Sequence, residues 1–244
     1  FDMAKLEPYS KKLPYSYTLG VFPSLMLLEA HPERAMRLLI HSDGEKNEGV
    51  QKLRERCAAL GVREEIADRV LKRESKKDNC FAGLVFEKYE IDPSPTECHA
   101  VLCQISDSGN TGTALRSLIG FGIHDVALVR PCVDVFDPHV LRASMGAFFR
   151  LNARVYDSFD EYRAEFPERE TCPFMLDGSV PLNDAARNAG HPHTLVFGNE
   201  AAGLPAVFQT YGQSVRIPQS DEIDSLNLAV AASIAMYTFK NING

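Results

Sequence analysis

No stretch of this 244-residue chain approaches the ~20 consecutive apolar residues that a membrane helix requires. The first residues, Phe1-Asp2-Met3-Ala4-Lys5, lack the charged-then-apolar order of a secretory signal, so the chain reads as soluble and cytoplasmic, with no membrane partner. None of the six cysteines (Cys57, Cys80, Cys98, Cys103, Cys132, Cys172) belongs to a CxxC pair. That excludes the spacing of a zinc site and of a disulfide framework, and implies reduced thiols and no metal. His191-Pro192-His193 has no companion ligand nearby in sequence and reads as a loop before an apolar strand. Nucleotide-binding loops are missing too. There is no GxxxxGK(S/T), and Gly120-Phe121-Gly122-Ile123-His124-Asp125 has Asp at the third glycine and follows a helix, the reverse of a dinucleotide fingerprint. It reads instead as a turn that ends a helix.

Lysine is nearly absent from the second part of the chain. The formal charge is −7, yet residues 1–95 hold 16 Lys+Arg against 16 Asp+Glu, so the whole deficit falls after residue 95. This asymmetry points to a first part that meets a polyanion and a second part with another task.

The length suits two domains better than one. In the first part, Ser24 to Ala30 and Gly49 to Leu60 have helical spacing, Met36 to Ile40 reads as a strand, and Ile66 to Leu71 as a further helical piece. The charged run Lys72 to Asp78 reads as a basic loop before a strand from Phe81 to Phe86. Two prolines in Glu90-Ile91-Asp92-Pro93-Ser94-Pro95-Thr96-Glu97 mark a linker. Beyond it, strands at His99 to Ile105, Val126 to Val129, Phe174 to Leu176, Thr194 to Phe197 and Ser214 to Ile217 alternate with helices at Thr113 to Ile119, Pro138 to Ser144 and Ser225 to Phe239. Such alternation predicts a parallel sheet covered on both faces, with ligands beyond the carboxyl ends of its strands.

Three segments there carry chemistry. Asn110-Thr111-Gly112-Thr113-Ala114-Leu115-Arg116 enters a helix that is apolar around Arg116, and a guanidinium buried there would need anionic partners. Thr194 to Pro205 is an apolar strand running into a small-residue turn that admits a ligand close to the backbone, with Glu200 near the strand's carboxyl end. Val215-Arg216-Ile217-Pro218 is followed by Ser225-Leu226-Asn227 and a helix rich in alanine.

Taken in order, these segments resemble the three motifs of the SpoU family of knotted RNA methyltransferases. Asn110 to Arg116 is similar to the first motif, Phe197 to Leu204 to the second, and Ile217-Pro218 with Ser225-Leu226-Asn227 to the third. Leu141 to Arg150 resembles the family's segment between the first two. Residues 14–88 more loosely resemble the small ribosomal-protein-like domain that many members carry in front. Two departures stand out: Asn79 to Gly83 replaces an expected His-Gln-Gly, and Ala201 occupies a position where Gly is usual.

The resemblance implies an α/β chain with an RNA-binding domain at 1–92 and a catalytic trefoil-knot (SPOUT) domain with a parallel sheet at 93–244. It further implies S-adenosylmethionine as cofactor, ribosomal or transfer RNA as substrate, methylation of a ribose 2′-hydroxyl, and a homodimer formed through the catalytic domain. Arg116, Asn110, Glu200, Ser225 and Asn227 would be the catalytic set. Phe197, Gly198, Asn199, Gly203, Ile217, Leu226 and Asn227 would hold the cofactor. Arg116 is expected to anchor RNA phosphate and stabilise a developing alkoxide, because a guanidinium stays protonated and makes a poor base. A silent RNA-binding relative would have no need of intact Asn110, Arg116, Glu200 and Asn227. The base-methylating knotted enzymes lack the Ser225-Leu226-Asn227 pattern.

Overall fold

The computed structural model describes residues 6–76 and 79–243, so the readings made on Phe1 to Lys5 and on Lys77-Asp78 lie outside the described residues. In chain order the elements are β1 (Tyr15–Tyr17), α1 (Val21–Ala30), β2 (Ala35–Ile40), α2 (Glu48–Ala59), β3 (Arg63–Ile66), α3 (Asp68–Ser75) and β4 (Ala82–Glu87). They continue as β5 (His99–Cys103), α4 (Ser108–Gly120), β6 (Asp125–Val129), α5 (Pro138–Ala143), β7 (Asn152–Tyr156), α6 (Phe159–Glu165) and β8 (Glu170–Pro173). The last are β9 (Val180–Pro181), α7 (Leu182–Asn188), β10 (His193–Phe197), β11 (Val215–Arg216) and α8 (Leu228–Asn243). Among the described residues no helix is long and apolar enough to cross a membrane.

The chain forms two compact units. The first runs to Tyr89 and takes in Asp134–Phe149; the second holds Glu90–Val133 and the chain from Arg150 onward. A single cut near residue 92 therefore misses one piece: residues 134–149, with most of the motif-like Leu141 to Arg150 stretch, fold with the first unit. Aromatic packing explains it. Phe149 stands edge-on to Phe86 at 5.3 Å, and Phe136 edge-on to Phe148 at 5.1 Å. Gly146 makes the return possible, since a Cβ there would lie 2.8 Å from Cβ of Met26.

The first unit has a four-stranded sheet in the order β1-β4-β2-β3, in which β4 pairs antiparallel with β1 and β2 while β3 joins β2 in parallel. Helix α2 begins where Asn47 accepts hydrogen bonds from Gly49 N and Val50 N, and it buries Val50, Leu53 and Cys57 on one face. Ile66 ends strand β3 instead of opening a helix, and α3 continues through Lys72 to Ser75, where the sequence suggests a loop. Buried Leu71 and a paired Glu74 hold that last turn: the carboxylate accepts from Arg73 Nε at 2.6 Å and from Tyr9 N at 3.2 Å.

The second unit has five parallel strands in the order β7-β6-β5-β10-β8. Strands β5, β6 and β10 are buried along their whole length, as a parallel sheet covered on both faces requires. Helix α8 packs on α4 and α7. Three contacts fix α4 and α8 as a parallel pair: Asn110 with Asn227, Ser117 Oγ with Ser233 Oγ at 2.8 Å, and Phe121 edge-on to Tyr237 at 6.0 Å. The α/β class with a parallel sheet is as expected, while β7, α6 and α7 were not foreseen and the strand expected at Phe174 to Leu176 lies earlier, at β8.

The linker is irregular, as its prolines dictate, but it is fastened within the second unit. Ser94 N donates to Asp125 at 2.7 Å, and Arg169 Nη1 donates to Pro95 O at 3.0 Å. Behind it lies a buried relay. Arg169 Nε bonds Thr194 Oγ1 at 3.1 Å, Thr194 bonds the Tyr162 hydroxyl at 2.8 Å, and Tyr162 bonds His99 Nδ1 at 2.8 Å. His99 Nε2 reaches Ser94 O at 2.6 Å. Because Ser94 O only accepts, Nε2 carries the proton and Nδ1 accepts from Tyr162. Burial first, then the nearby Arg169 charge, pushes the His99 imidazole down to about 4.

Candidate active site

Strand β5 has β6 on one side and β10 on the other, so the loops leaving β5 and β10 diverge at their carboxyl ends. A crevice of about 290 Å³ opens there. Its walls come from Phe174 to Asp177 after β8, from Phe197 to Leu204 after β10, and from the chain around Ile217, Ser225, Leu226 and Leu228.

The turn after β10 is held by its own backbone and by Asn199. Asn199 Oδ1 accepts from Ala201 N at 2.9 Å and Ala202 N at 3.1 Å, Asn199 O accepts from Gly203 N at 2.9 Å, and Asn199 Nδ2 donates to Gln104 O at 2.8 Å. The last bond ties the ends of β5 and β10 together. A Cβ on Gly198 would lie 2.4 Å from the carbonyl carbon of Gly203, so only glycine lets the returning chain come this close. Ala201 takes no left-handed backbone. The turn therefore has no conformational need for a glycine at that position.

A hydrogen-bonded chain links Glu200 of the crevice wall to the starts of α4 and α8. Asp107 caps α4, accepting from Asn110 N at 2.6 Å, so the helix starts earlier than the sequence suggests and Asn110 lies in its first turn. Asn227, not Ser225, caps α8: its Oδ1 accepts from Ala229 N at 2.9 Å and Val230 N at 3.3 Å. That leaves Asn227 Nδ2 to donate to Asn110 Oδ1 at 2.9 Å, and Asn110 Nδ2 to face Glu200 Oε1 at 3.5 Å. Asp107 N donates to the same Glu200 oxygen at 3.3 Å.

Of the residues singled out in the sequence, Phe197, Gly198, Asn199, Glu200, Gly203, Ile217, Ser225 and Leu226 line the crevice. Asn110 and Asn227 join it through Glu200. Arg116 departs from expectation. It lies on the exposed face of α4, outside the lining, so the anticipated buried guanidinium with anionic partners is not what the helix presents. The apolar residues around it point inward at Leu115 and Leu118, one position before and two positions after Arg116, on a different face of the helix. Sequence reasoning missed Phe174, Met175, Leu176 and Asp177 as wall residues. They follow the carboxyl end of a strand next to β10, so correct placement of β8 would have found them. Among the described residues, Asp177 and Glu200 are the only charged side chains of the lining, and both are carboxylates.

The sequence profile of the SpoU rRNA Methylase family matches residues 97–237. The chain belongs to this family. It is 53% identical over 187 residues to the mitochondrial rRNA methyltransferase 3 of Homo sapiens, covering 56% of this chain and 44% of that protein. It is 29% identical over 200 residues to the 23S rRNA (uridine(2479)-2′-O)-methyltransferase of Streptomyces viridochromogenes, covering 80% of this chain and 61% of that one. The chain thus spans less than two thirds of the length of either relative. Among solved structures, the AdoMet-bound rRNA methyltransferase of Sinorhizobium meliloti superposes with a TM-score of 0.77 at 25% identity, over 93% of this chain and 87% of that one. The SpoU match takes in the whole crevice and the Asn110-Asn227 pair, and it also includes residues 134–149, which fold with the first unit.

Proposed function

We propose that this chain transfers a methyl group from S-adenosylmethionine to a ribose 2′-hydroxyl of ribosomal or transfer RNA. The observation that carries the reading is the crevice at the ends of β5 and β10, with Glu200, Asn110 and Asn227 bonded at one end of it. The crevice suits such a donor. Phe174, Ile217 and Leu226 offer apolar walls for an adenine, and the close approach at Gly198 leaves backbone groups of the turn for polar contacts.

When bound, the donor supplies an electrophilic methyl on a positively charged sulfur. The chain's own residues align the acceptor: Ser225, Asn110, Asn227 and Glu200 hold and orient the hydroxyl, an entropic contribution to rate. The acceptor hydroxyl gives its proton to water as its oxygen takes the methyl, while Arg116 attracts an RNA phosphate and stabilises the developing alkoxide as a fixed positive charge.

Homodimerisation belongs to this reading. Helix α8 exposes Val230 (47%), Ile234 (37%) and Tyr237 (58%), an apolar stripe at helical spacing beside the face of α4 that bears Arg116. A second copy covering this stripe would withdraw Arg116 from bulk water and raise the strength of its charge at the site. SpoU membership supports a trefoil knot around the third motif and a ribosomal-protein-like RNA-binding role for the first unit. The relatives' names favour ribosomal RNA, and with it either a cytoplasmic or a mitochondrial location.

Purified protein, tritiated S-adenosylmethionine and total cellular RNA test the proposal, with digestion to nucleosides separating ribose from base methylation. Label in 2′-O-methylnucleosides is the expected result, and label confined to bases, or none, overturns it. Arg116→Ala should abolish transfer while leaving donor binding intact.

A further inference from the structure

The charge of the crevice is of one sign. Among the described residues its lining contains Glu200 and Asp177 and no Lys, Arg or His; Arg216, between the lining residues Val215 and Ile217, lies outside it, as does Arg116 of α4. The two carboxylates are not equivalent. Asp177 accepts a hydrogen bond from Gln209 Nε2 at 2.7 Å, which satisfies one oxygen. Glu200 has only long contacts, from Asp107 N at 3.3 Å and from Asn110 Nδ2 and Asn199 Nδ2 at 3.5 Å. It is also the carboxylate joined to Asn110 and Asn227, at the end where the acceptor hydroxyl is proposed to sit.

We infer that Glu200 is a charge selector that favours the cationic sulfonium donor over its neutral thioether product. The inference rests on the proposed donor. A half-buried carboxylate within a few ångströms of a unit positive charge attracts it through a medium less polar than water, whereas a neutral thioether sulfur gains nothing from it. Methyl transfer removes that positive charge, so the carboxylate that helps hold the donor stops holding the product. The crevice is emptied for the next turnover by the same group that fills it.

Calorimetric titration in the absence of RNA tests this without reading activity. Three probes differ at one position: S-adenosylmethionine carries a sulfonium, sinefungin an amine that is protonated, and S-adenosylhomocysteine a neutral sulfur. Both cationic probes should bind about tenfold more tightly than the neutral one, with the margin shrinking as salt is raised. Glu200→Gln keeps the shape and removes the charge, and should bring all three affinities together while leaving that for S-adenosylhomocysteine unchanged. Asp177→Asn should leave the margin in place. If the wild type binds all three equally, or if Glu200→Gln weakens all three alike, the inference is overturned. If none of the three binds, the proposed donor itself fails.

Discussion

Asn227 donates its side-chain amide to the side-chain oxygen of Asn110 at 2.9 Å, and this one bond joins the starts of the two helices that frame the site. The same Asn227 caps α8 with its other atom, so structure and site are coupled in one residue. Asn227→Ala should cost about 1 kcal/mol for the lost cap and lower the melting temperature by about 2–4 °C. Asn227→Ser retains a capping oxygen but cannot reach Asn110. It should melt close to the wild type yet lose most methyl transfer, and equal losses of stability in both variants, seen by differential scanning calorimetry, would contradict the separation of roles.

Gly198 gives a sharper prediction. With backbone only 2.4 Å from where a Cβ would stand, Gly198→Ala must push the 198–204 turn outward. Overpacking of this kind costs about 1–3 kcal/mol, and donor affinity should fall by about tenfold or more. Ala201→Gly, at an exposed position of ordinary backbone geometry, should leave donor affinity within about twofold of the wild type. Isothermal titration of both variants checks the pair.

The His99 relay makes stability depend on pH. Its imidazole is depressed from an ordinary value near 6.5 to about 4, so below pH 6.5 the unfolded chain binds a proton that the folded chain refuses. Stability from this group is complete above pH 6.5 and is lost as pH falls toward 4, by about 3 kcal/mol in all. Urea unfolding at pH 7 and pH 4.5 should show the loss. His99→Gln keeps a donor toward Ser94 but cannot titrate, and should reduce the difference between the two pH values.

The exposed α8 stripe predicts assembly. Tyr237→Glu places a charge on the apolar stripe at its most exposed residue and should convert a dimer to a monomer in sedimentation velocity runs, with transfer activity falling in step. A wild type that sediments as a monomer at micromolar concentration would remove the proposed role of a second copy.

Much of this was legible in the sequence because the second unit follows simple rules. Strands β5, β6 and β10 are continuous apolar runs, and the small-residue turn and the Ser225-Leu226-Asn227 segment fall where strand ends predict a site. What was not legible depended on pairing across the chain. Glu74 looked like part of a solvated loop because its partners, Arg73 and the backbone of Tyr9, are visible only in three dimensions. Strand β8 was misplaced toward Phe174 to Leu176 because the more apolar tripeptide lies just past the strand, on the wall of the crevice. Arg116 was expected inside because its neighbours are apolar, yet one residue along a helix turns a side chain by about 100°, enough to leave it in water. Donor recognition, the knot and the dimer rest on motif resemblance, since periodicity carries no information about threading or partners.

The return of residues 134–149 to the first unit means that the polypeptide passes between the two units three times, counting the linker. No single scission can separate them cleanly. A fragment starting at residue 93 would carry Phe136, Phe148 and Phe149 without the Phe86 surface they cover, and a fragment ending at residue 92 would present that surface bare. Expressed alone, each half should be sticky and incompletely folded. Mixing the two should restore solubility, because each supplies the other's missing apolar cover.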